Sequence, residues 1–207
     1  MKKILNNDSM VPIKSFSDVT KFHGHVCPGS AIGYKASEAG LNELKSSNAS
    51  DEEIVAIVEN DSCAVDAVQV VTGCTFGKGN LIFLDHGKQV YTFYNRKTDD
   101  GVRVVLKDSF SVDLLAPKLN QLRAKVNAGN ATELEKEDLK SMVLDVSNEI
   151  LEIPYRNMFE IEHIKMEVPS KARIFKSVKC SECGEMVSEN RSRIQSGEIV
   201  CIPCFNE

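Results

Sequence analysis

Near its N-terminus the chain reads Phe22-His23-Gly24-His25-Val26-Cys27-Pro28-Gly29, which places two imidazoles and a thiol within five residues. These side chains are preferred ligands of zinc and similar metals. Pro28 suits the first position of a helix, and a residue before proline avoids the helical region, so Cys27 should cap a helix on an extended approach. In an extended chain His23, His25 and Cys27 would point to the same side. The stretch therefore predicts a metal site or a reactive-thiol site.

Four cysteines near the C-terminus form two Cys-x-x-Cys pairs, Cys180 with Cys183 and Cys201 with Cys204. Their separation fits a four-cysteine zinc site, in which each pair supplies two thiolates. The residues between the pairs suit a hairpin that turns at Ser196-Gly197. Four thiolates leave no open coordination position, so we expect a structural Zn²⁺ that supplies the folding energy of this short segment.

Between the two clusters the sequence predicts an α+β core, with helices packed on an antiparallel or mixed sheet. Apolar periodicity predicts helices over residues 15–22, 28–44, 64–71, 112–126 and 132–151. Alternating or β-rich runs predict strands over residues 54–58, 80–84, 89–94 and 102–107, and one long strand or two short ones over 158–168. Pro169-Ser170-Lys171 reads as a linker, so we predict a core domain over 1–168 and a zinc-finger domain over 169–207.

Two further cysteines flank the predicted helix 64–71. Cys63 lies at its N-terminus, where backbone N–H groups favour a thiolate, and Cys74 follows its end. A helix of about 15 Å, at ~1.5 Å per residue, would keep them from binding one metal unless the following loop folds back. Each cysteine is a candidate ligand, reactive thiol or core residue. Lys78, in a Gly-Lys-Gly loop, is either a solvated turn lysine or a site residue.

Composition limits the classes of function. The 207 residues carry a net charge of −5, which argues against nucleic acid as the main partner because phosphate binding needs a basic surface. No apolar run approaches the ~20 residues of a membrane span, and the N-terminus turns polar too early for a secretory signal. We therefore expect a cytoplasmic protein whose 7 cysteines serve as ligands and thiols rather than disulfides.

Three motifs together resemble the FmdE-like family, named for the FmdE component of molybdenum formylmethanofuran dehydrogenase of methanogens and other anaerobes. They are Phe22–Gly29, Asp61–Gln69 and Thr72–Leu81, within a resemblance that covers residues 15–165. Ser62 stands where the family pattern leads us to expect glycine. The resemblance implies an α+β core, a homodimer and a cleft near the His/Cys motif. The cleft residues that it implies are His23, His25, Cys27, Cys63, Cys74 and Lys78.

The C-terminal module resembles the treble-clef zinc finger that some members of that family carry. Whether the protein is an enzyme stays open, and three functions remain. In the first, His23, His25 and Cys27 bind a second metal ion, expected to be Zn²⁺, with Cys63 or Cys74 completing or flanking the site. In the second, a thiol enzyme uses Cys27 as its nucleophile and His23 or His25 as its base. In the third, an accessory protein delivers a metal or cofactor, or docks on a molybdenum or tungsten oxidoreductase such as formylmethanofuran dehydrogenase.

Overall fold

The computed structural model describes residues 12–205, which fall into two compact units that divide between Lys171 and Ala172. The helices of the first unit are α1 (Phe16–His23), α2 (Pro28–Glu43), α3 (Ala64–Thr72), α4 (Val112–Leu115), α5 (Leu119–Asn127), α6 (Glu133–Glu152) and α7 (Tyr155–Met158). Its strands are β1 (Ile54–Val58), β2 (Leu81–Phe83), β3 (Val90–Asn95), β4 (Asp100–Leu106) and β5 (Phe159–Ile164). Within the described residues, no helix combines the length and the apolar character needed to span a membrane.

The strands of the first unit form one mixed sheet in the order β2-β1-β3-β4-β5. β1 pairs in parallel with β2 through the crossover helix α3, and the other neighbours pair antiparallel. β3 is central and is buried along its whole length. The predicted α+β class, with helices on a mixed sheet, is confirmed.

The helix α2 runs through the centre of the first unit, and most of its residues are buried. Small residues let neighbours approach its backbone closely. A methyl group at Gly33 would stand less than 3.0 Å from backbone atoms of Ala64 in α3, and one at Gly40 would overlap the ring of Phe93 in β3. Since contacts this close exclude any side chain, α2 is fixed against α3 on one side and the sheet on the other.

A buried ion pair lies within α2, and its lysine also forms a hydrogen bond to α6. Lys35 Nζ lies 2.5 Å from Glu38 Oε2 and donates to the carbonyl oxygen of Leu151 at 3.2 Å. Both charged side chains are nearly enclosed, with 8% and 10% of their surface exposed. Leu151 lies in the last turn of α6, where the helix dipole favours a cation.

The predicted helix over 112–126 is wrong, because the chain forms two helices there, α4 and α5. Pro117 lies between them: its ring fixes φ, and it has no N–H to continue the hydrogen-bond ladder. The predicted start of the helix at Thr132 is confirmed by a capping box with Glu135. The last strand is shorter than predicted and ends at Ile164.

Over residues 172–205, the second unit contains two hairpins and two short 3₁₀ turns, Glu189–Arg191 and Ile202–Cys204. One hairpin pairs β6 (Ser177–Lys179) with β7 (Met186–Ser188), and the other pairs β8 (Ser192–Gln195) with β9 (Glu198–Cys201). Ser196 and Gly197 have φ of 53° and 87°, which is the left-handed pair that a two-residue hairpin turn requires. The predicted turn at Ser196-Gly197 is therefore confirmed, but its hairpin is shorter than the predicted one over residues 185–200, because β7 pairs with β6 instead.

Candidate metal centre

The His/Cys stretch is assembled by the end of one helix and the start of the next. His23 is the last residue of α1, and Gly24 closes that helix with a φ of 92°. Cys27 is extended and caps α2, as predicted from Pro28. The expectation that the whole stretch is extended is wrong, because His23 is helical. The left-handed turn at Gly24, which glycine adopts without strain, lies within the stretch that brings the three side chains together.

The ligand atoms of His23, His25 and Cys27 all lie within 4.8 Å of one another. Cys27 Sγ is 3.6 Å from His23 Nε2, and the two imidazole rings are 4.4 Å apart between centroids. A tetrahedral zinc ion with bonds of about 2.3 Å to sulfur and about 2.0 Å to nitrogen holds those two ligands roughly 3.5 Å apart. The residues therefore fit a metal with three protein ligands and one open position.

Asp66, on α3, fixes the orientation of His23. Its carboxylate lies 2.7 Å from His23 Nδ1, and this hydrogen bond raises the pKa of His23. With Nδ1 bound to the carboxylate, Nε2 is the nitrogen that faces Cys27. Metal-binding histidines commonly bond a carboxylate in this way, which sets the tautomer and the ring orientation.

The Cys27 thiol lies at the N-terminus of α2, where Ser30 stabilises its ionised form. Burial acts to raise the pKa of Cys27, but the hydrogen bond between its sulfur and the Ser30 hydroxyl and the one from the Ser30 backbone N–H outweigh it, with smaller contributions from Cys63 and His23. The Ser30 N–H is 3.4 Å from Sγ. The pKa of Cys27 therefore lies below its ordinary value, which favours a thiolate that can bind a metal or act as a nucleophile.

The cluster opens onto a cavity of about 520 Å³. One part of its lining carries His25, Cys27 and Cys63, and another part comes from α4, α5 and the residue before α4. The remaining lining is mostly apolar. The full set of lining residues is His25, Cys27, Pro28, Gly29, Ile32, Cys63, Ser111, Val112, Asp113, Asn120 and Arg123.

A smaller groove of about 340 Å³ lies between the segment 115–118 and α6. Its lining is apolar and acidic, with one lysine, and contains no imidazole or thiol. The 520 Å³ cavity is thus the better candidate for a chemical site, because it places an imidazole and two thiols beside an apolar surface.

Cys63 flanks the cluster from the start of α3. A methyl group at Gly29 would lie 3.2 Å from Cys63 Cβ and 3.9 Å from Cys27 Sγ, so both cysteines border the same small volume. Burial, and then the charge of Cys27, raise the pKa of Cys63, although the residue as a whole is exposed. Its role as a ligand stays a prediction.

Cys74 and Lys78 lie at the opposite end of α3. The Cys74 thiol is buried, donates to the Ile54 carbonyl at 3.3 Å, and has a pKa raised by burial to about 11. Lys78 Nζ donates to the carbonyl oxygen of Asp51 at 3.3 Å. Ile54 begins β1, whereas Cys63 follows its other end, so neither Cys74 nor Lys78 is brought to the His/Cys cluster.

Sequence reasoning missed several residues of the site. Asp66 lies in the second family-like motif, three residues after Cys63, but nothing local reveals that it contacts His23. Ser30 has a clearer signal, because Ser three residues after a capping position suits a capping box. No sequence signal identified Asp113 or Arg123 as site residues, because the break between α4 and α5 that places them on the cavity falls inside a segment predicted as one helix.

The second unit gathers the four predicted zinc ligands, Cys180, Cys183, Cys201 and Cys204, whose sulfur atoms lie within 4.8 Å of one another. Cys183 and Cys201 are 3.9 Å apart between sulfurs, near the roughly 3.8 Å edge of a tetrahedral zinc–thiolate site with bonds of about 2.3 Å. Backbone N–H groups of Cys183 and then Cys201 lower the pKa of Cys180 to about 6. The four thiols therefore fit a structural zinc ion.

Comparison with known proteins agrees with both units. Residues 22–160 match the family described as FmdE, molybdenum formylmethanofuran dehydrogenase operon. Residues 173–207 match the prokaryotic dksA/traR C4-type zinc finger. The crystal structure of a tungsten formylmethanofuran dehydrogenase FmdE-like protein from Syntrophus aciditrophicus is similar, with a TM-score of 0.54, 26% identity, and coverage of 91% of this chain and 88% of that chain.

A curated relative from Archaeoglobus fulgidus carries the name probable S-adenosyl-L-methionine-binding protein. It is 33% identical over 189 residues, which cover 89% of this chain and 50% of the relative. The chain thus spans about half the length of that relative. The family match extends over more than half of the chain and includes the whole His/Cys cluster with Asp66 and Arg123. We conclude that this chain belongs to the FmdE family and carries a C-terminal four-cysteine zinc finger.

Proposed function

We propose that this FmdE-family protein binds a divalent metal ion, with Zn²⁺ as the first candidate, through His23, His25 and Cys27. The observation that carries the proposal is the convergence of the three ligand atoms within 4.8 Å, with a sulfur–nitrogen separation of 3.6 Å. Three ligands leave one coordination position, and the cavity of about 520 Å³ borders the cluster.

The neighbouring residues support this role. Asp66 holds the His23 ring in position from α3, and Ser30 favours the thiolate form of Cys27. The apolar part of the cavity, including Pro28 and Ile32, limits the water around a bound ligand. A zinc ion held there would supply Lewis-acid chemistry to a small molecule in the cavity.

Metal content of the full-length protein tests the proposal. After incubation with excess zinc and removal of loosely bound ions, we expect two zinc ions per chain in the wild type and one in His25→Ala. His86→Ala is the matched control, because His86 is also exposed but contacts Glu59 outside the cluster, and it should retain two. A single zinc per chain in the reconstituted wild type would contradict the proposal.

A second candidate is thiol catalysis, favoured by one specific arrangement. His23 Nε2 lies 3.6 Å from Cys27 Sγ, and His23 Nδ1 lies 2.7 Å from Asp66 Oδ2, which is the order of nucleophile, base and orienting carboxylate. Alkylation of Cys27 separates the candidates. A metal site predicts that zinc protects Cys27 and that a chelator restores its reactivity, whereas a thiol enzyme predicts rapid alkylation that neither reagent changes.

We also propose that the protein associates with a molybdenum or tungsten oxidoreductase, and that it forms a homodimer. The description of the family and the name of the Syntrophus aciditrophicus protein support the first of these. Affinity purification of the tagged protein from its native cells should recover such an oxidoreductase, and light scattering should give twice the mass of one chain. Recovery of the chain alone, or a monomeric mass, would count against the respective proposal.

The name of the archaeal relative adds one candidate ligand for the cavity, S-adenosyl-L-methionine. The mixed apolar and charged lining, with Ile32, Asp113 and Arg123, suits a ligand of that kind. This chain matches only half of that relative, and the other half could hold the ligand named there. Binding of S-adenosyl-L-methionine to this chain is therefore a proposal that needs its own test. Calorimetric titration should show saturable binding that His25→Ala or Arg123→Gln weakens, and no heat of binding would exclude it.

A further inference from the structure

Helix α5 contributes Arg123 to the lining of the cavity, and the side chain of Arg123 ends in a guanidinium group. No ion pair within residues 12–205 involves Arg123. Its hydrogen bond goes to an amide, because Nη1 donates to Asn120 Oδ1 at 3.2 Å. The positive charge therefore borders the cavity without a carboxylate partner among the described residues.

The guanidinium is also held in place. Asn120 accepts from Arg123 and donates through its own amide nitrogen to Asp113 Oδ1. Asp113 lies in α4 and Asn120 and Arg123 lie in α5, so this chain of hydrogen bonds spans the break at Pro117. An arginine that donates through one side of its planar group can bind an oxyanion through the remaining donors.

The rest of the lining indicates the character of the ligand. His25, Cys27 and Cys63 offer a soft, metal-binding end, and Ile32 adds an apolar surface. Arg123 is the cationic end, and the Asp113 carboxylate on the same lining accepts a hydrogen bond from Asn120. The cavity thus combines soft, apolar and charged contacts in a volume of about 520 Å³, within the range of sites for small molecules.

We propose that Arg123 binds the oxyanion, a carboxylate or a phosphate, of a small molecule whose other end reaches the His23–Cys27 cluster. This inference deepens the proposed function and rests on it for the metal-binding end of the ligand. Asn120 and Asp113 are positioning residues, because they act through Arg123.

Two alkylating reagents of nearly equal size test the proposal on the full-length protein. Iodoacetate carries a carboxylate and iodoacetamide is neutral, so the ratio of their rates reports attraction of an oxyanion into the cavity. Mass spectrometry reads this ratio at Cys63, which lines the cavity but is not one of the three proposed metal ligands. Arg123→Gln should lower the iodoacetate/iodoacetamide ratio by about tenfold, in keeping with the strength of charge-assisted hydrogen bonds. Arg123→Lys, which keeps the charge but loses the planar donors, should give an intermediate ratio.

Lys125→Gln is the matched control, because it removes one positive charge from the same helix at a residue that pairs with Glu135 and does not line this cavity. Its ratio should equal that of the wild type. Competition by acetate or by inorganic phosphate against iodoacetate then shows which oxyanion is preferred. An Arg123→Gln ratio equal to that of the wild type would overturn the proposal.

Metal content measured on the same samples separates this inference from the proposed function. If the core zinc is present and Arg123→Gln leaves the ratio unchanged, the oxyanion site is refuted and the metal site stands. If the core zinc is absent and the ratio still falls in Arg123→Gln, the metal site is refuted and oxyanion binding by Arg123 stands.

Discussion

Replacement of Gly33 by alanine should destabilise the first unit, although alanine is the better helix former. Gly33 lies inside α2, where the exchange alone would favour the helix by about 1 kcal/mol. The added methyl group, however, would stand less than 3.0 Å from backbone atoms of Ala64, whereas ordinary contacts lie at 3.4–4 Å. Backbone atoms cannot rotate away as a flexible side chain can, so α2 and α3 must move apart.

The expected magnitude follows from these two opposing terms. Forcing an extra methyl group into a packed interior costs about 1–3 kcal/mol, and more where the neighbour is rigid. Against the gain in helix propensity, we expect a net loss of about 2 kcal/mol, which lowers the Tm of a unit of this size by roughly 4–8 °C. Because Cys27 and Cys63 begin the two helices, the same movement should also weaken binding of the core metal.

Urea unfolding followed by circular dichroism at a helical wavelength provides the assay, because the α-helices assigned in the described residues all lie in the first unit. Gly77→Ala is the control: a methyl group there meets nothing within 4 Å, so its stability should stay within about 0.5 kcal/mol of the wild type. A Gly33→Ala protein as stable as the wild type, or more stable, would refute the close packing of α2 on α3.

Three further changes test other parts of the molecule. Asp66→Asn should weaken core-metal binding by about 10–100-fold, because the His23 ring loses its carboxylate partner. Competition with a metal-sensitive dye measures the affinity, and an unchanged affinity would show that Asp66 does not support the metal site. Cys183→Ser should release the structural zinc and shift the amide resonances of residues 177–205 toward unfolded positions while the helices persist, whereas an intact hairpin without metal would contradict this. The Glu53 carboxylate accepts hydrogen bonds from its own N–H and those of Asp51 and Ser50, which lower its pKa from 4.5 to about 2. The ionised carboxylate therefore contributes stability that is fully present above pH 4.5 and is lost as the pH falls through about 2. In urea titrations, the difference in unfolding free energy between the wild type and Glu53→Gln should shrink across that window. A difference that does not depend on pH would refute the lowered pKa of Glu53.

The elements predicted most accurately have local causes. Pro28 sets the start of α2, Thr132 with Glu135 starts α6, and Gly73 ends α3 in the left-handed conformation. The zinc finger was predictable for the same reason, since two Cys-x-x-Cys pairs at that spacing suffice to surround a metal. The three helix ends depend on residues within a few positions of one another, and the zinc finger depends on two short motifs at a known separation.

The site was predictable only in part, because its remaining contacts are distant in sequence. Asp66 reaches His23 across 43 residues, and no period in the sequence reports that contact. Arg123 comes to the cavity only because Pro117 divides the predicted helix, and the sequence pattern alone favoured a continuous one. His23 and Cys27 were correctly paired, but for the wrong reason, since the link between them is a helix end and a turn and not an extended strand.

The ion pair of Lys35 and Glu38 bears on how uniquely the helices are aligned. Apolar contacts are not directional, so they fix the alignment of α6 on α2 less strictly than a hydrogen bond does. The Lys35 ammonium reaches the Leu151 carbonyl in only one alignment, and a shift of α6 would remove this buried hydrogen bond while the ion pair with Glu38, which lies within α2, stays in place. Replacing both charged residues by apolar ones of similar volume could therefore leave the unfolding free energy unchanged and still allow α6 to adopt more than one alignment on α2. Such heterogeneity would be visible as broadening of NMR resonances rather than as a lower melting temperature.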